Sequence, residues 1–389
     1  MIVVKLLHVG DLHIGKSLFK FDLIEDQKYI LQQIVNAAEK HHVDAVMLAG
    51  DIYDTSQPAE KAVNLLDWFL RELAQIKVKT FMISGNHDSD VRLNFGKSFF
   101  AKENIYIGAV FDGKLGKYTL EDEQGPVNIY LLPFIKASHV KQYFPEAEIN
   151  DYSEAVAQVI EDAAIDTSER NVIVAHQFVA GSNLSTPPEL AGSEGTGTIS
   201  VGLVEQVKTE VFADFDYVAL GHIHSPQQVG RSEVRYAGSI LKYSDKDTKH
   251  EKSLPLITLG KKGEVKIELL PLKPLRDVRH IKGCMKEIIA KENLKDTDDY
   301  VYVTLQDEDY INDAMSIIQQ YYPHAINLDY DNQHTRSMEQ VEASQQEERS
   351  FKEIVADFYQ QIFGEEITPE EMEILEAAAR EAGITNEAN

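Results

Sequence analysis

Five short polar motifs, each directly after a run of apolar residues, limit what this chain can fold into. They are Asp11-x-His13, Gly50-Asp51 with Asp54 behind it, Gly85-Asn86-His87-Asp88, Ala175-His176 and Gly221-His222-Ile223-His224. The apolar runs before them read as strands: Val3–Val9, Ala45–Ala49, Thr80–Ile83, Val172–Ala175 and Tyr217–Leu220, with a further strand at Asn128–Leu132. Helical periods at Leu23–Lys40 and Pro58–Leu73 lie between them. Continuous apolar strands alternating with amphipathic helices predict an α/β class, a layered β-sheet with helices on its faces. Active sites of such folds gather at the carboxyl ends of strands. Glycine before Asp11, Asp51, Asn86 and His222 is expected to permit the turn that swings each side chain into a common site. In Asp11-x-His13 and His222-x-His224 a spacing of two puts both side chains on one side of an extended backbone.

The donors are Asp11, His13, Asp51, Asn86, His176, His222 and His224. Seven are more than one ion takes and suit two divalent cations, with Asp51, central in the order, as the carboxylate that bridges them. Imidazole, carboxylate and amide without thiolate fit manganese, iron or zinc. Two dications against two carboxylates leave positive charge to attract a phosphate, which points to phosphoester hydrolysis by in-line attack of water. Any one motif alone is more often a turn or a cap, but all five in order at strand ends are hard to obtain by chance. Gly-Asn-His-Asp is the most telling, since its polar cluster is costly to bury without a task. Asp54 is equally a group that orients a ligand or a loop cap, and the other histidines, among them His8, read as packing or surface residues.

Beyond residue 229 the helical period stops, and short strands up to Leu270 predict a closing meander. The expected domains are 1–270, a small α/β domain at 275–331, a polar linker at 332–349 and C-terminal helices at 350–389. That small domain is predicted from strands at Val278–Ile281, Tyr300–Leu305 and Ala325–Tyr330 and helices at Met285–Glu292 and Ile311–Tyr321. The last part carries apolar stripes (Phe351, Ile354, Val355, Phe358, Ile362, Phe363, then Met372, Leu375, Ala379, Ala382) and is expected to dock a protein partner. Its charge supports this: residues 337–389 hold 14 Asp/Glu against 3 Lys/Arg, a net of −11 that repels a phosphate backbone. Residues 226–282, with 13 Lys/Arg against 7 Asp/Glu, are net +6 inside a chain of net −26. There Arg231, Arg235, Lys242 and Lys246, with Lys249 and Lys252, are candidates for DNA phosphates, although a solvated mixed-charge face explains each of them as well. Apolar residues on most sides of Ala62–Leu73, Trp68 and Phe69 among them, predict a homodimer built on that helix. Cys284 is the single cysteine, which excludes an intramolecular disulfide or a cysteine zinc cage and fits a reducing cytoplasm. No apolar run is long enough to span a membrane, and no P-loop occurs, so any ATP dependence comes from another chain.

The motifs D-x-H, GDxxD, GNHD, the isolated H and GHxH resemble those of the calcineurin-like metallophosphoesterases over roughly the first 240 residues. The wording DLHIGK, VDAVMLAGDIYDT, ISGNHDS and VALGHIHSPQQVG is similar to the SbcD family of bacterial nuclease subunits. The resemblance implies a metallophosphoesterase core with a small cap domain that caps DNA. It implies two Mn2+ ions, exonuclease action on double-strand ends and endonuclease action on hairpins and single strands. It also implies work in DNA repair, recombination and replication, as a homodimer joined to an SbcC-type ATPase in a heterotetramer. By matching position, Asp11, His13, Asp51 and His224 would hold one metal and Asp51, Asn86, His176 and His222 the other. His87 would contact the phosphate or protonate the leaving oxygen, and Asp88 would orient it. The core motifs alone leave open a phosphoesterase for a nucleotide or another small phosphodiester; a scaffold without activity would have lost ligands, and none is missing.

Overall fold

The computed structural model describes residues 3–181 and 206–332, together with 355, 356, 359, 360, 367–369, 371, 372, 374 and 375. Leaving aside four two-residue strands, the strands in chain order are β1 (Val4–Val9), β2 (Ala45–Ala49), β3 (Lys79–Ile83), β4 (Ile105–Gly108), β5 (Gly116–Asp122), β6 (Gly125–Leu132), β7 (Arg170–His176) and β8 (Tyr217–Gly221). They continue with β9 (Gln227–Val229), β10 (Arg231–Tyr236), β11 (Ser253–Leu259), β12 (Val265–Pro271), β13 (Val278–Gly283), β14 (Tyr300–Leu305) and β15 (Ala325–Tyr330). The main helices are α1 (Ile24–His41), α2 (Glu60–Gln75), α3 (Tyr152–Asp162), α4 (Met285–Ile288) and α5 (Ala314–Gln319). None of the described helices is long and apolar enough to cross a membrane.

Two six-stranded sheets are stacked face to face. The first has the order β12-β11-β1-β2-β3-β4 and the second β9-β10-β8-β7-β6-β5. Within them β1 to β4 run parallel, as do β6, β7, β8 and β10. Between the sheets, Leu6, Met47 and Phe81 of the first join Ile129, Val174 and Tyr217 of the second in one buried cluster. Outside the first sheet, α1 and α2 contribute Ile30, Ile34, Leu66 and Phe69 to a second cluster; outside the second sheet, α3 contributes Val156 and Val159 to a third. The central strands are therefore covered on both faces, which is why their sequences are continuously apolar and do not alternate.

The expected meander is instead divided between the sheets. β9 and β10 extend the second sheet beside β8, whereas β11 pairs antiparallel with β1 in the first and β12 with β11. Helix α2 meets the reading of Ala62–Leu73 differently from expectation: Ala62, Leu65, Leu66, Phe69, Leu70 and Leu73 are buried in the chain's own core, and Trp68 is half-buried.

The described residues form two compact units. Those within Met1–Ile281, Lys295–Val303 and Ile318–Asn327 make up one, and those within Lys282–Leu294, Thr304–Ile317 and Leu328–Asn389 the other. A third sheet has the order β13-β14-β15. In the first unit Arg276 grips the buried Asp26 of α1 at 2.8 and 3.0 Å, and the Tyr300 hydroxyl donates to the same carboxylate at 3.0 Å. In the second unit Thr368 and Glu371 form a capping box, the Glu371 N–H donating to Thr368 Oγ1 at 3.3 Å and the Thr368 N–H to Glu371 Oε2 at 3.0 Å. All of the expected linker at 332–349 except Asn332, and the stripe residues Phe351, Ile354, Phe358, Ile362, Phe363, Ala379 and Ala382, lie outside the described residues.

One buried ion pair laces the sheets together at their far edge. Asp122 of β5 meets Arg170 of β7 at 2.6 Å, with both side chains almost fully buried. Asp122 also accepts from the Val4 N–H of β1 at 2.8 Å, and Arg170 donates to the Gly260 carbonyl beyond β11 at 3.0 Å. The Arg170 hydrogen bonds hold the Asp122 carboxyl below its ordinary range despite burial. Arg170→Met leaves a buried carboxylate without its cation, so urea unfolding at pH 7 should show a loss of about 3–5 kcal/mol. Because the folded-state pKa lies below the unfolded value of about 3.9, this contribution is present at neutral pH and lost as pH falls through the folded pKa, so the gap between variant and parent should narrow below about pH 4. Equal midpoints at pH 7 would contradict the tie.

Candidate metal centre

The five motifs converge where the carboxyl ends of both sheets meet. β1, β2 and β3 deliver Asp11 and His13, Asp51 and Asp54, and Asn86, His87 and Asp88; β7 and β8 deliver His176, His222 and His224. The backbone achieves this at a cost. Asp11, His13, Asp51 and His222 themselves adopt left-handed conformations, with φ of 49, 44, 48 and 101°. The expected pairing of Asp11 and His13 by strand alternation is thus replaced by two successive left-handed turns, a strained geometry held by its surroundings. Two of the preceding glycines serve close approach. A Cβ on Gly85 would stand 2.1 Å from Asp51 Oδ1, and one on Gly221 would stand 1.9 Å from the Ala49 carbonyl.

The donor atoms form a continuous string. His224 Nε2 lies 3.0 Å from His13 Nε2, which lies 3.4 Å from Asp51 Oδ2. Asp51 Oδ2 is again 3.4 Å from His176 Nε2, which is 3.0 Å from Asn86 Oδ1, itself 3.0 Å from His222 Nδ1. Asp11 clusters with His13 and His224 and also with Asp51 and His176, and its Oδ1 accepts from the His222 N–H at 2.8 Å. Donors that share one cation at about 2.0–2.1 Å stand roughly 3.0–3.4 Å apart, so the spacing and the chemistry of the set both fit divalent cations. Asp51 occupies the middle of the string, between a His13–His224 side and an Asn86–His176–His222 side.

Protonation follows from burial. Burial pushes His222 down to about 3 and holds His13 and His224 below the usual imidazole range, which leaves their lone pairs available. Burial also opposes charge on His176, but the Asp51 carboxylate overrides it and pushes that imidazole up to about 9. A cation entering there displaces that proton. Asp51 stays well below the ordinary range, because His176 and His13 outweigh its burial.

Supporting groups fix these ligands. His176 Nδ1 donates to the Ala49 carbonyl at 2.8 Å, directing Nε2 inward. Asp54 Oδ1 stands 3.2 Å from His13 Nδ1 and 2.7 Å from Lys16 Nζ, the orienting arrangement among the two readings open for it. Asp88, expected beside His87, does something else. Its carboxylate collects the N–H groups of Gly85, Ile52 and Tyr53 at 2.9–3.0 Å, bracing the loops that carry Asp51 and Asn86. Burial and the neighbouring Asp51 charge push Asp88 up to about 6. The group that meets the His87 ring is the Asp54 carbonyl, 3.1 Å from Nδ1.

Three contributors escape the motifs. Gln27, buried on α1, donates to the His13 carbonyl at 2.7 Å and accepts from the Gly15 N–H at 2.9 Å. Tyr243 donates to the Leu12 carbonyl at 2.6 Å. Lys252, considered for phosphate contact, is buried and donates to the His224 carbonyl at 2.9 Å while pairing with Asp247 at 2.5 Å. A glutamine on the apolar face of a helix is the one legible signal among them. Of the other basic candidates, Lys242 pairs with Asp277 at 2.8 Å, Arg231 donates to the Phe212 carbonyl at 3.3 Å and Arg235 reaches Gln228 at 3.5 Å, while Lys246 is exposed.

Residues 4–226 match the family model described as calcineurin-like phosphoesterase, and residues 274–363 match the type 5 capsule protein repressor C-terminal domain. The SbcD component of the nuclease SbcCD from Staphylococcus epidermidis is 32% identical over 364 residues, covering 91% of this chain and 92% of the relative. A dimetal phosphatase structure from Danio rerio aligns with a TM-score of 0.40 at 14% identity, over 70% of this chain and 99% of that one.

The string of donors predicts that Asp51→Ala removes the ligand common to both sides. Elemental analysis should find two divalent ions per parent chain and at most one in the variant. Two ions retained in Asp51→Ala would contradict the shared position.

Proposed function

The chain belongs to the calcineurin-like phosphoesterase family, and from that premise we propose that it is the DNA-cleaving subunit of an SbcCD-type complex using two Mn2+ ions. It is an SbcD-like, metal-dependent phosphodiesterase, a hydrolase of the nuclease kind. The observation that carries the proposal is the string of donors centred on Asp51, all buried but the exposed Asn86. In this reading Asp11, His13, Asp51 and His224 hold one ion and Asp51, Asn86, His176 and His222 the other. When bound, two divalent cations supply Lewis acidity to phosphoryl oxygens and lower the pKa of an attacking water.

The chain's own groups do the rest. His87 is half-buried at the mouth of the centre, and its ring packs edge-on against His13 at 4.9 Å between centroids. Its Nδ1–H donates to the Asp54 carbonyl, so that in the imidazolium form the second proton would sit on Nε2 and pass from there to the leaving 3′- or 5′-oxygen. Asp88 acts at one remove, holding the Asp51 and Asn86 loops so that the donors need no rearrangement.

The activity in this proposal is exonuclease action on double-strand ends and endonuclease action on hairpins and single strands, serving repair, recombination and replication with an SbcC-type ATPase. The name of the Staphylococcus epidermidis relative, one part of a two-component nuclease, supports that partner. A homodimer belongs to the same reading. Since α2 buries most of its apolar residues, the surface proposed for it is the exposed set Val91, Phe95 and Phe99, with 71, 83 and 73% exposure. A single-chain mass by light scattering would remove the dimer.

The test is cleavage of hairpin, blunt and single-stranded DNA with Mn2+ or chelator, with and without the ATPase. Metal-dependent cleavage is expected, and His87→Ala should keep both ions while losing about 10²–10⁴-fold in turnover. DNA left intact under conditions where a small bis-ester is hydrolysed would move the substrate to small phosphodiesters. Loss of metal from His87→Ala would make His87 a ligand.

A further inference from the structure

A cleft of about 610 Å3 opens beside the Asn86–His222 side of the centre. Its size falls within the roughly 300–1,000 Å3 of pockets that enclose a small organic ligand. Asn86, His87 and His222 form one wall, and the rings of Phe111, Phe134, Tyr143, Tyr152 and Phe178 form much of the rest. The rings are braced from several directions. The Phe134 N–H donates to the Ser84 carbonyl at 3.0 Å, and its ring lies nearly parallel to that of His222 at 6.5 Å. Phe178 meets His222 edge-on at 6.3 Å, and Tyr143 meets Phe111 edge-on at 5.4 Å. Tyr143 is nevertheless 48% exposed, a large aromatic surface offered to the cleft rather than spent in the core. Lys136 and His139 stand on the exposed rim.

A second observation is independent of the rings. Gln177, which also lines the cleft, is fully buried; its Nε2 donates to the Ile135 carbonyl at 3.4 Å, but among the described residues its Oε1 has no hydrogen-bond partner. A buried acceptor left unpaired is costly, and a turn of the Gln177 side chain toward the cleft would pair it with a ligand N–H. Planar faces for stacking, an N–H acceptor and a cation beside a phosphate-cleaving centre are complementary to one chemical class, a nucleotide with its base unpaired.

We propose that this cleft is a nucleobase pocket, which holds the base of an unstacked nucleotide next to the scissile phosphate, with Lys136 on the neighbouring phosphate. The proposal rests on the phosphodiesterase reading of the centre and specifies its substrate. A base held here is out of its duplex, so ends that fray and strands that are already single enter more readily than paired interiors.

Two esters with the same leaving group test it: thymidine 5′-(p-nitrophenyl phosphate) and methyl p-nitrophenyl phosphate, with the full chain loaded with Mn2+. The parent should favour the nucleoside ester by tenfold or more in kcat/KM, and Tyr143→Ala and Phe111→Leu should each cut that ratio several-fold, through KM. Reading the ratio cancels losses in folding or metal content common to both esters. Equal efficiency with the two esters in the parent, or an unchanged ratio in both variants, would overturn the pocket while leaving the phosphodiesterase reading intact. Absence of metal-dependent turnover of either ester would overturn that reading and the pocket with it.

Discussion

Oδ2 of Asp51 stands 3.4 Å from His13 Nε2, on the first sheet, and 3.4 Å from His176 Nε2, on the second. Everything else in the first unit serves that convergence. Two sheets stacked through Leu6, Met47, Phe81, Ile129, Val174 and Tyr217 put five strand ends at one place, and no single sheet would bring His176 and His222 over Asp51 and Asn86. The buried cluster between the sheets is thus as much a condition of the chemistry as the ligands are. A lost contact there displaces one half of the donor set from the other.

Stability and function pull against each other at this point. Four of the candidate ligands adopt left-handed backbone, carboxylates and imidazoles are packed out of water, and Gly85 and Gly221 bring chains too close for a methyl group. Such features persist only where the surroundings over-determine them. Here the surroundings are identifiable: the three N–H groups gathered by Asp88, the Gln27 amide under His13, the Tyr243 hydroxyl on Leu12 and the buried Lys252 behind His224. The return is a set of donor atoms already gathered at one place.

Much of this was legible in the residues. Strand ends carrying Asp11, Asp51, Asn86, His176 and His222 could be read because apolar runs stop abruptly at polar residues, and the structure brings all seven donors together. The division into two sheets could not be read. Strands buried on both faces have no alternation, so nothing local says whether β7 extends the first sheet or begins another. The same blindness produced the meander, whose strands are drawn apart by pairing with β8 and β1. Asp88 sits one residue from His87 in sequence, yet its oxygens find backbone N–H groups, a choice made by loop geometry alone. Lys252 looked like a surface cation because a buried lysine with three acceptors cannot be distinguished by sequence from a solvated one.

The central claim is that one carboxylate oxygen stands between two cations. Crystals of the protein loaded with Mn2+, measured at the manganese absorption edge, address it directly. The account predicts two anomalous peaks about 3.5–4 Å apart, one toward His13 and His224 and one toward Asn86, His176 and His222, with Asp51 Oδ2 between them. A single peak, or two peaks with Asp51 bound to one alone, would contradict it.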